Sequence, residues 1–232
     1  MSNPILRFDE VVKSYGAGTT EVRALRGTSL TVEPGEFVAI MGPSGCGKST
    51  MLHLAGALEE PTSGAVVVNG RDLSSCDRAE RSEMRRRDVG IVFQSLNLVP
   101  ALTALENVTL PLELDGMAAK VARLLALAAL ERVGLTQQLD RFPDSFSGGQ
   151  QQRIAIARAT IGTRKLVLAD EPTGALDTAT GDGVINLLAD FAAAGTAVVL
   201  VTHEPRFAAF ADRVVYLRDG MIVDETTARA AS

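Results

Sequence analysis

The stretch EFVAIMGPSGCGKSTMLHLAGAL, residues 36–58, joins three signals in a row. The apolar run through Met41 predicts a buried strand, a glycine-rich loop follows, and the segment from Ser49 has helical spacing that places Leu52, Ala55 and Leu58 on one face. The loop itself, GPSGCGKST at residues 42–50, fits the pattern G-x-x-x-x-G-K-[ST] and lies where that pattern has a physical meaning, between a strand and a helix. Gly42, Gly45 and Gly47 let backbone N–H groups close on phosphate, with Pro43, Ser44, Cys46 and Thr50 completing the cradle. Lys48 reaches toward the β- and γ-phosphates of a nucleotide, and the Ser49 hydroxyl suits Mg²⁺. Cys46 reads as a small residue in a variable slot, where alkylation is expected to block the nucleotide.

Further along, several apolar runs end on chemistry. KLVLADEP (165–172) places Asp170 and Glu171 at the carboxyl end of a buried strand, the edge at which open α/β sheets present ligands. Asp170 suits the Mg²⁺ shell, and Glu171 suits a general base that activates water against a γ-phosphate. AVVLVTH (197–203) ends at His203; a lone histidine is more often structural, but its company at the same sheet edge favours a catalytic reading. GIVFQ (90–94) ends at Gln94, whose amide suits either Mg²⁺ or the attacking water, or is a hydrogen-bonding loop residue. Tyr15 either stacks on an adenine or closes a strand at a turn; its surroundings in the sequence do not choose.

A second anion cradle lies about a hundred residues beyond the first. In SFSGGQQQRIAIARA (145–159) a Ser-Gly-Gly turn opens a helix, so unpaired N–H groups and the positive end of the helix dipole converge on one spot. Around these landmarks the N-terminal third reads as strands, ILRFDEVVKSY and VRALRGTSLTVE with a turn at Pro34-Gly35, and a short strand pair is expected near GAVVVNG. Residues 95–161 change character, with the Leu-rich SLNLVPALTALENVTLPLEL and a helix through AAKVARLLALAALERVG; strands resume at KLVLAD and finish with TAVVLVTH and RVVYLRDGMIVD. The expected fold is α/β, with a mainly parallel sheet covered on both faces and a helical insertion.

At 232 residues the chain is long enough for one domain with a sizeable core. Its net charge of −5 gives no general pull toward nucleic acid, which is not expected as a partner. The arginines of RAERSEMRRRD (Arg78, Arg81, Arg85, Arg86, Arg87) read as a solvated helix face with intrahelical ion pairs, ahead of a surface near anionic lipid. Cys46 and Cys76 suggest neither a disulfide framework nor a metal site, and with no leader and no long apolar run the expected setting is the cytoplasm.

Taken together, these motifs resemble the nucleotide-binding subunits of ATP-binding cassette (ABC) transporters. GPSGCGKST looks like the family's Walker A loop, LVLADE its Walker B strand, Gln94 its Q-loop, FSGGQ its signature, ALD at 175–177 its D-loop and His203 its switch histidine. Phe146 stands where leucine is commoner. The resemblance implies the P-loop ABC ATPase fold over residues 1–232, with residues 1–94 and 162–232 as a core lobe that includes an N-terminal antiparallel β-subdomain, and 95–161 as a helical signature subdomain. It implies ATP and Mg²⁺ as ligands and a head-to-tail homodimer in which Ser147, Gly148, Gly149 and Gln150 of one subunit, with Asp177 nearby, cover the nucleotide held by the other. The second cradle is then for the partner's ATP.

FQSLNLVPALTALENVTLPLELDG and LADEPTGALDTATG further resemble the branch containing the macrolide-export, lipoprotein-release and cell-division ATPases. That branch implies an integral membrane permease with four helices and an extracytoplasmic domain, and a peripheral position on the inner face of the membrane. Residues 95–117 would then help receive the permease's cytoplasmic helix, or else simply pack the helical insertion. The competing expectation is a soluble ABC ATPase that works on ribosomes or DNA.

Overall fold

The computed structural model describes residues 3–227; the ends of the expected 1–232 unit, residues 1–2 and 228–232, lie outside the described residues. Two sheets form the framework. The first is four-stranded and antiparallel, in the order β2 (Val22–Val32), β1 (Leu6–Tyr15), β4 (Ser63–Val68), β5 (Arg71–Asp72). The second holds six strands in the order β10 (Met221–Thr227), β9 (Arg213–Arg218), β3 (Phe37–Met41), β8 (Ala197–Val201), β7 (Leu166–Asp170), β6 (Val89–Val92). All neighbours in it are parallel except the edge pair β9–β10.

The unbroken apolar runs become the middle strands because both faces of this sheet are covered. Every residue of β3 and β8 is buried. Alternation then divides them between two cores: Phe37, Ala39 and Met41 join Val198, Leu200, Val167 and Ala169 on one side, while Val38 and Ile40 join Val199, Val201, Leu166 and Leu168 on the other. The first core is closed by α3 (Ala104–Leu114), α4 (Ala119–Arg132), α5 (Gly148–Thr160) and α6 (Thr178–Ala193). The second is closed by α1 (Lys48–Ala55), by Met84 of α2 (Arg78–Arg87) and by the antiparallel sheet. The remaining short helix is α7 (Pro205–Ala208).

Two expectations are corrected. Leu58 does not share a helix face with Leu52 and Ala55: α1 ends at Gly56, Ala57 adopts φ +52°, and the chain leaves the helix so that Leu58 is 42% exposed. The arginines of α2 do lie on a polar helix, but only Arg87–Glu83 is an intrahelical pair; Arg81 meets Glu60, and Arg86 and Arg87 both meet Asp115 beyond the end of α3. Those contacts tie α2 to its neighbours.

Inside the helical stretch, Asn107 is fully buried and organises the turn before α3: its Oδ1 accepts from Val99 N, and its Nδ2 donates to the carbonyls of Val99, Leu102 and Thr103. Pro111 sits within α3. Among the described residues no helix is long and apolar enough to cross a membrane.

The approach of α5 to the sheet is set by one glycine. A Cβ at Gly90 of β6 would lie 1.7 Å from the carbonyl oxygen of Ala159, a backbone atom that cannot step aside alone. Gly90→Ala is therefore expected to destabilise the chain by about 1–3 kcal/mol, the usual scale of core overpacking, in urea unfolding. An unchanged midpoint would show that α5 shifts freely.

Candidate functional site

Parallel pairing brings the carboxyl ends of β3, β8, β7 and β6 to one edge, and an open cavity of about 570 Å³ lies there. From the loop after β3 it is lined by Ser44, Gly45 and Gly47, and from the first turn of α1 by Lys48, Ser49 and Thr50. β7 contributes Asp170 and then Glu171, β8 leads to His203, β6 leads to Gln94, and Ala24 of β2 closes a side.

The loop can take this path only with glycine at two points. A Cβ on Gly42 would meet the Leu217 carbonyl oxygen at 2.1 Å, and Gly47, at φ +110°, would place one 2.5 Å from the Ala24 carbonyl oxygen. Gly47 is also the N-cap of α1, so the helix's free N–H groups open into the cavity. Lys48 is 7% exposed, and its Nζ donates to the carbonyls of Gly42 and Pro43 at 2.8 Å each, which bends the side chain back over the loop.

At the strand ends the acidic pair divides. Asp170 is partly buried, and its Oδ1 accepts from Ser49 Oγ at 3.4 Å. Burial pushes its carboxyl above the usual aspartate range; the Ser49 hydrogen bond opposes the shift, and the Glu171 charge adds to it. Glu171 adopts φ +43°, a left-handed conformation unusual for a non-glycine residue, fixed by its N–H donating to the Val201 carbonyl at 3.0 Å. Its Oε1 lies 3.2 Å from His203 Nδ1. Gln94 stands opposite, with its Nε2 and Glu171 Oε2 both flanking Gly174.

Other expected residues lie away from this cavity. Ser147 caps α5 in a reciprocal box: its Oγ accepts from Gln150 N at 3.3 Å, and Gln150 Oε1 accepts from Ser147 N at 3.0 Å. Gly148 opens the helix, and Gly149 packs on Thr180 of α6 so closely that a Cβ would meet Thr180 Cγ2 at 2.3 Å. Asp177 caps α6 by accepting from the N–H and hydroxyl of Thr180. None of these lines the cavity, nor do Gly42, Pro43 and Cys46; the Gly42 and Pro43 carbonyls accept from Lys48 Nζ instead. Tyr15 is exposed on one side and tied by its hydroxyl to Glu59 at 2.6 Å, with Lys13 Nζ 4.9 Å from the ring centroid. Burial raises its phenol pKa, Glu59 raises it further, and the Thr50 hydroxyl pulls the other way.

Two positioning groups are silent in the sequence. Arg158 of α5 donates to the carbonyls of Leu96 and Asn97, and Asn107 holds the segment that follows, so both brace the chain just after Gln94. Each sits in a helix that mixes polar and apolar residues, so the local sequence does not single them out.

Fold and cavity define a P-loop nucleotide-binding ATPase. The ABC transporter family model matches residues 25–174. The chain belongs to the ABC transporter family. It is 42% identical over its whole length to the macrolide export ATP-binding/permease protein MacB of Hyphomonas neptunium, of which it spans 36%, so it covers about a third of those longer relatives. It is 45% identical to the ABC transporter ATP-binding protein YknY of Bacillus subtilis, over 94% of this chain and 95% of that one. Among solved structures, the dimeric post-hydrolysis state of the ATP-binding cassette MJ0796 bound to ADP and Pi superposes with a TM-score of 0.89 at 42% identity, over 97% of this chain and 99% of that one.

The Asp170 shift carries a stability consequence. Its folded pKa is raised, so the group favours folding most at acid pH, below its ordinary value, and that contribution is lost as pH rises through the raised pKa. At pH 7 the buried charge is a net cost, and Asp170→Asn is expected to raise the melting temperature of the nucleotide-free chain. A lower melting temperature would show that the Ser49 contact outweighs burial.

Proposed function

We propose that this chain is the ATP-hydrolysing engine of an ABC transporter, working as a homodimer bound to a permease at the cytoplasmic face of the membrane. The observation that carries the proposal is the convergence of Lys48, Ser49, Gln94, Asp170, Glu171 and His203 on one cavity at the sheet edge. Lys48 and the loop amides hold the ATP phosphates. Glu171 accepts the proton of the attacking water, and His203, 3.2 Å from it, orients that carboxylate and the γ-phosphate. Tyr15 packs against the adenine.

The donor set fits Mg²⁺. Asp170 is a partly buried carboxylate that accepts only a long hydrogen bond, from the Ser49 hydroxyl at 3.4 Å, and Ser49 and Gln94 supply neutral oxygens in the same cavity. Among the described residues no group of three or more His, Cys, Asp and Glu side chains could form an all-protein metal cage, which suits a cation that keeps waters and phosphate oxygens as ligands. Bound there, Mg²⁺ would neutralise charge on the β- and γ-phosphates.

The capped start of α5, with Ser147, Gly148, Gly149 and Gln150, lines no part of the cavity in its own subunit. That supports a head-to-tail pair in which it covers the partner's γ-phosphate, with Asp177 beside it. Moving such a pair from 1:99 to 99:1 closed needs about 5.5 kcal/mol. Two sites, each adding a couple of charge-assisted hydrogen bonds of about 1.5–3 kcal/mol, supply that in gross terms. In this reading residues 1–94 and 162–232 form the ATP-binding lobe, residues 95–161 form the lobe that presents α5, and the apolar groove beside α3 receives a permease helix.

Glu171→Gln is expected to keep ATP binding and lose hydrolysis by roughly 10²–10⁴-fold, and to dimerise with ATP and Mg²⁺ in gel filtration. Lys48→Ala is expected to abolish binding or turnover. Hydrolysis that survives the Glu171 change would mean another group is the base, and a variant that stays monomeric with ATP would remove the composite site.

A further inference from the structure

The groove beside the nucleotide cavity carries more positive charge than its own walls neutralise. It is a cleft of about 370 Å³ with Leu58, Phe93, Val99, Leu110, Pro111 and Leu114 on its apolar walls, and Arg85, Arg86, Arg158 and Arg164 reach into its lining. Arg86 is paired with Asp115 at 3.4 Å. The other three have no carboxylate partner among the described residues. Arg85 donates to the Ala57 carbonyl and the Ser82 hydroxyl. Arg158 donates to the carbonyls of Leu96 and Asn97, and Arg164 to those of Val89, Arg158 and Ile161. Carbonyl dipoles satisfy N–H groups but leave the charge uncancelled.

The contrast with other arginines of the same chain is direct. Asp115 and Glu83 hold Arg87 in its charged form, and Arg213, although burial opposes it, is stabilised as a cation by Glu36 and Glu225. In the groove the direction reverses: burial lowers Arg85, Arg158 and Arg164, the last to about 10, and neighbouring arginines add repulsion at Arg85 and Arg164. Asp115 pulls Arg164 the other way, yet its oxygens are already taken by Arg86 and Arg87.

We propose that the groove recognises a membrane-protein helix bearing an aspartate or glutamate among apolar residues, whose carboxylate pairs with Arg158 and Arg85. This rests on the reading above that the groove receives a permease helix, and it specifies that helix's chemistry. Charge complementarity selects the occupant. A wholly apolar helix would seal the half-buried guanidiniums of Arg85 and Arg158 away from water without a counter-charge, and a basic one would repel them, whereas one carboxylate on the apolar face turns buried charge into a buried pair. Arg164 is the backstop rather than the contact, because it is 8% exposed, whereas Arg85 and Arg158 are only half-buried.

Two crosslinking chemistries separate this inference from the reading beneath it. A photo-crosslinking amino acid at Leu114, 66% exposed on the groove rim, reports whether any integral membrane protein docks when the chain is irradiated in membranes of its source cells. Arg85→Lys and Arg158→Lys, which keep the charge, are treated in the same membranes with a carbodiimide. The reagent activates a carboxylate, the amine in contact displaces it to form an amide, and the carboxylate oxygen leaves in the urea.

The expected result is capture of an integral membrane protein at Leu114, a link from the introduced lysines to an aspartate or glutamate of that same protein, and at least roughly tenfold less co-purified partner for the Arg85→Gln, Arg158→Gln double variant. Capture at Leu114 without a lysine–carboxylate link, and with undiminished partner in the double variant, overturns the acidic recognition and leaves the docking reading standing. A carbodiimide link to lipid alone also overturns it. No membrane protein captured at Leu114 removes both. Should the double variant fail to fold, the charge-retaining lysine variants carry the test by themselves.

Discussion

The parallel pairing of β3, β8, β7 and β6 is the constraint on which the rest of the molecule depends. Parallel strands all end at the same edge, so the loop after β3 and the residues after β6, β7 and β8 meet without any long-range design of the loops themselves. The cost of that arrangement is that both faces must be covered. The two cores meet that demand, one beneath the helices and one beneath α1, α2 and the antiparallel sheet, and the strict alternation of β3 between them explains why a five-residue strand tolerates no polar side chain.

Close packing and chemistry are coupled through backbone atoms. Gly42 and Gly47 let the loop lie against the Leu217 and Ala24 carbonyls, and those close approaches hold its shape. Gly90 admits the end of α5 against β6, and Gly149 admits the start of the same helix against α6. One helix is thus pinned at both ends by places where no side chain fits. Its capped N-terminus is positioned by the same packing that buries its apolar face.

Polar groups inside the helical stretch act as braces. Asn107 and Arg158 hold successive pieces of the segment from Leu96 to Thr103, where Leu96 and Asn97 adopt left-handed conformations at φ +60° and +47°. That segment joins two openings: Gln94, just before it, lines the cavity at the sheet edge, and its own Asn97 and Val99 line the apolar groove. Within the Leu-rich stretch, Leu105 and Leu112 are buried in the core, while Leu110 and Leu114 line the groove.

By itself the sequence determined what depends on local order along the chain. The strand–loop–helix that starts at residue 36, the apolar runs that end at Gln94, Asp170 and His203, the helix opened by the Ser147-Gly148-Gly149 turn and the helical character of residues 118–134 are all visible because period and glycine placement are properties of neighbours. Tertiary structure decided what depends on distant partners. It set Leu58 outside α1, turned most α2 ion pairs toward Glu60 and Asp115, tied Tyr15 to Glu59, and left Arg85, Arg158 and Arg164 around one groove without a carboxylate partner among the described residues. Whether a charge is paired or stranded is fixed by which elements pack together, and no spacing along one element encodes that.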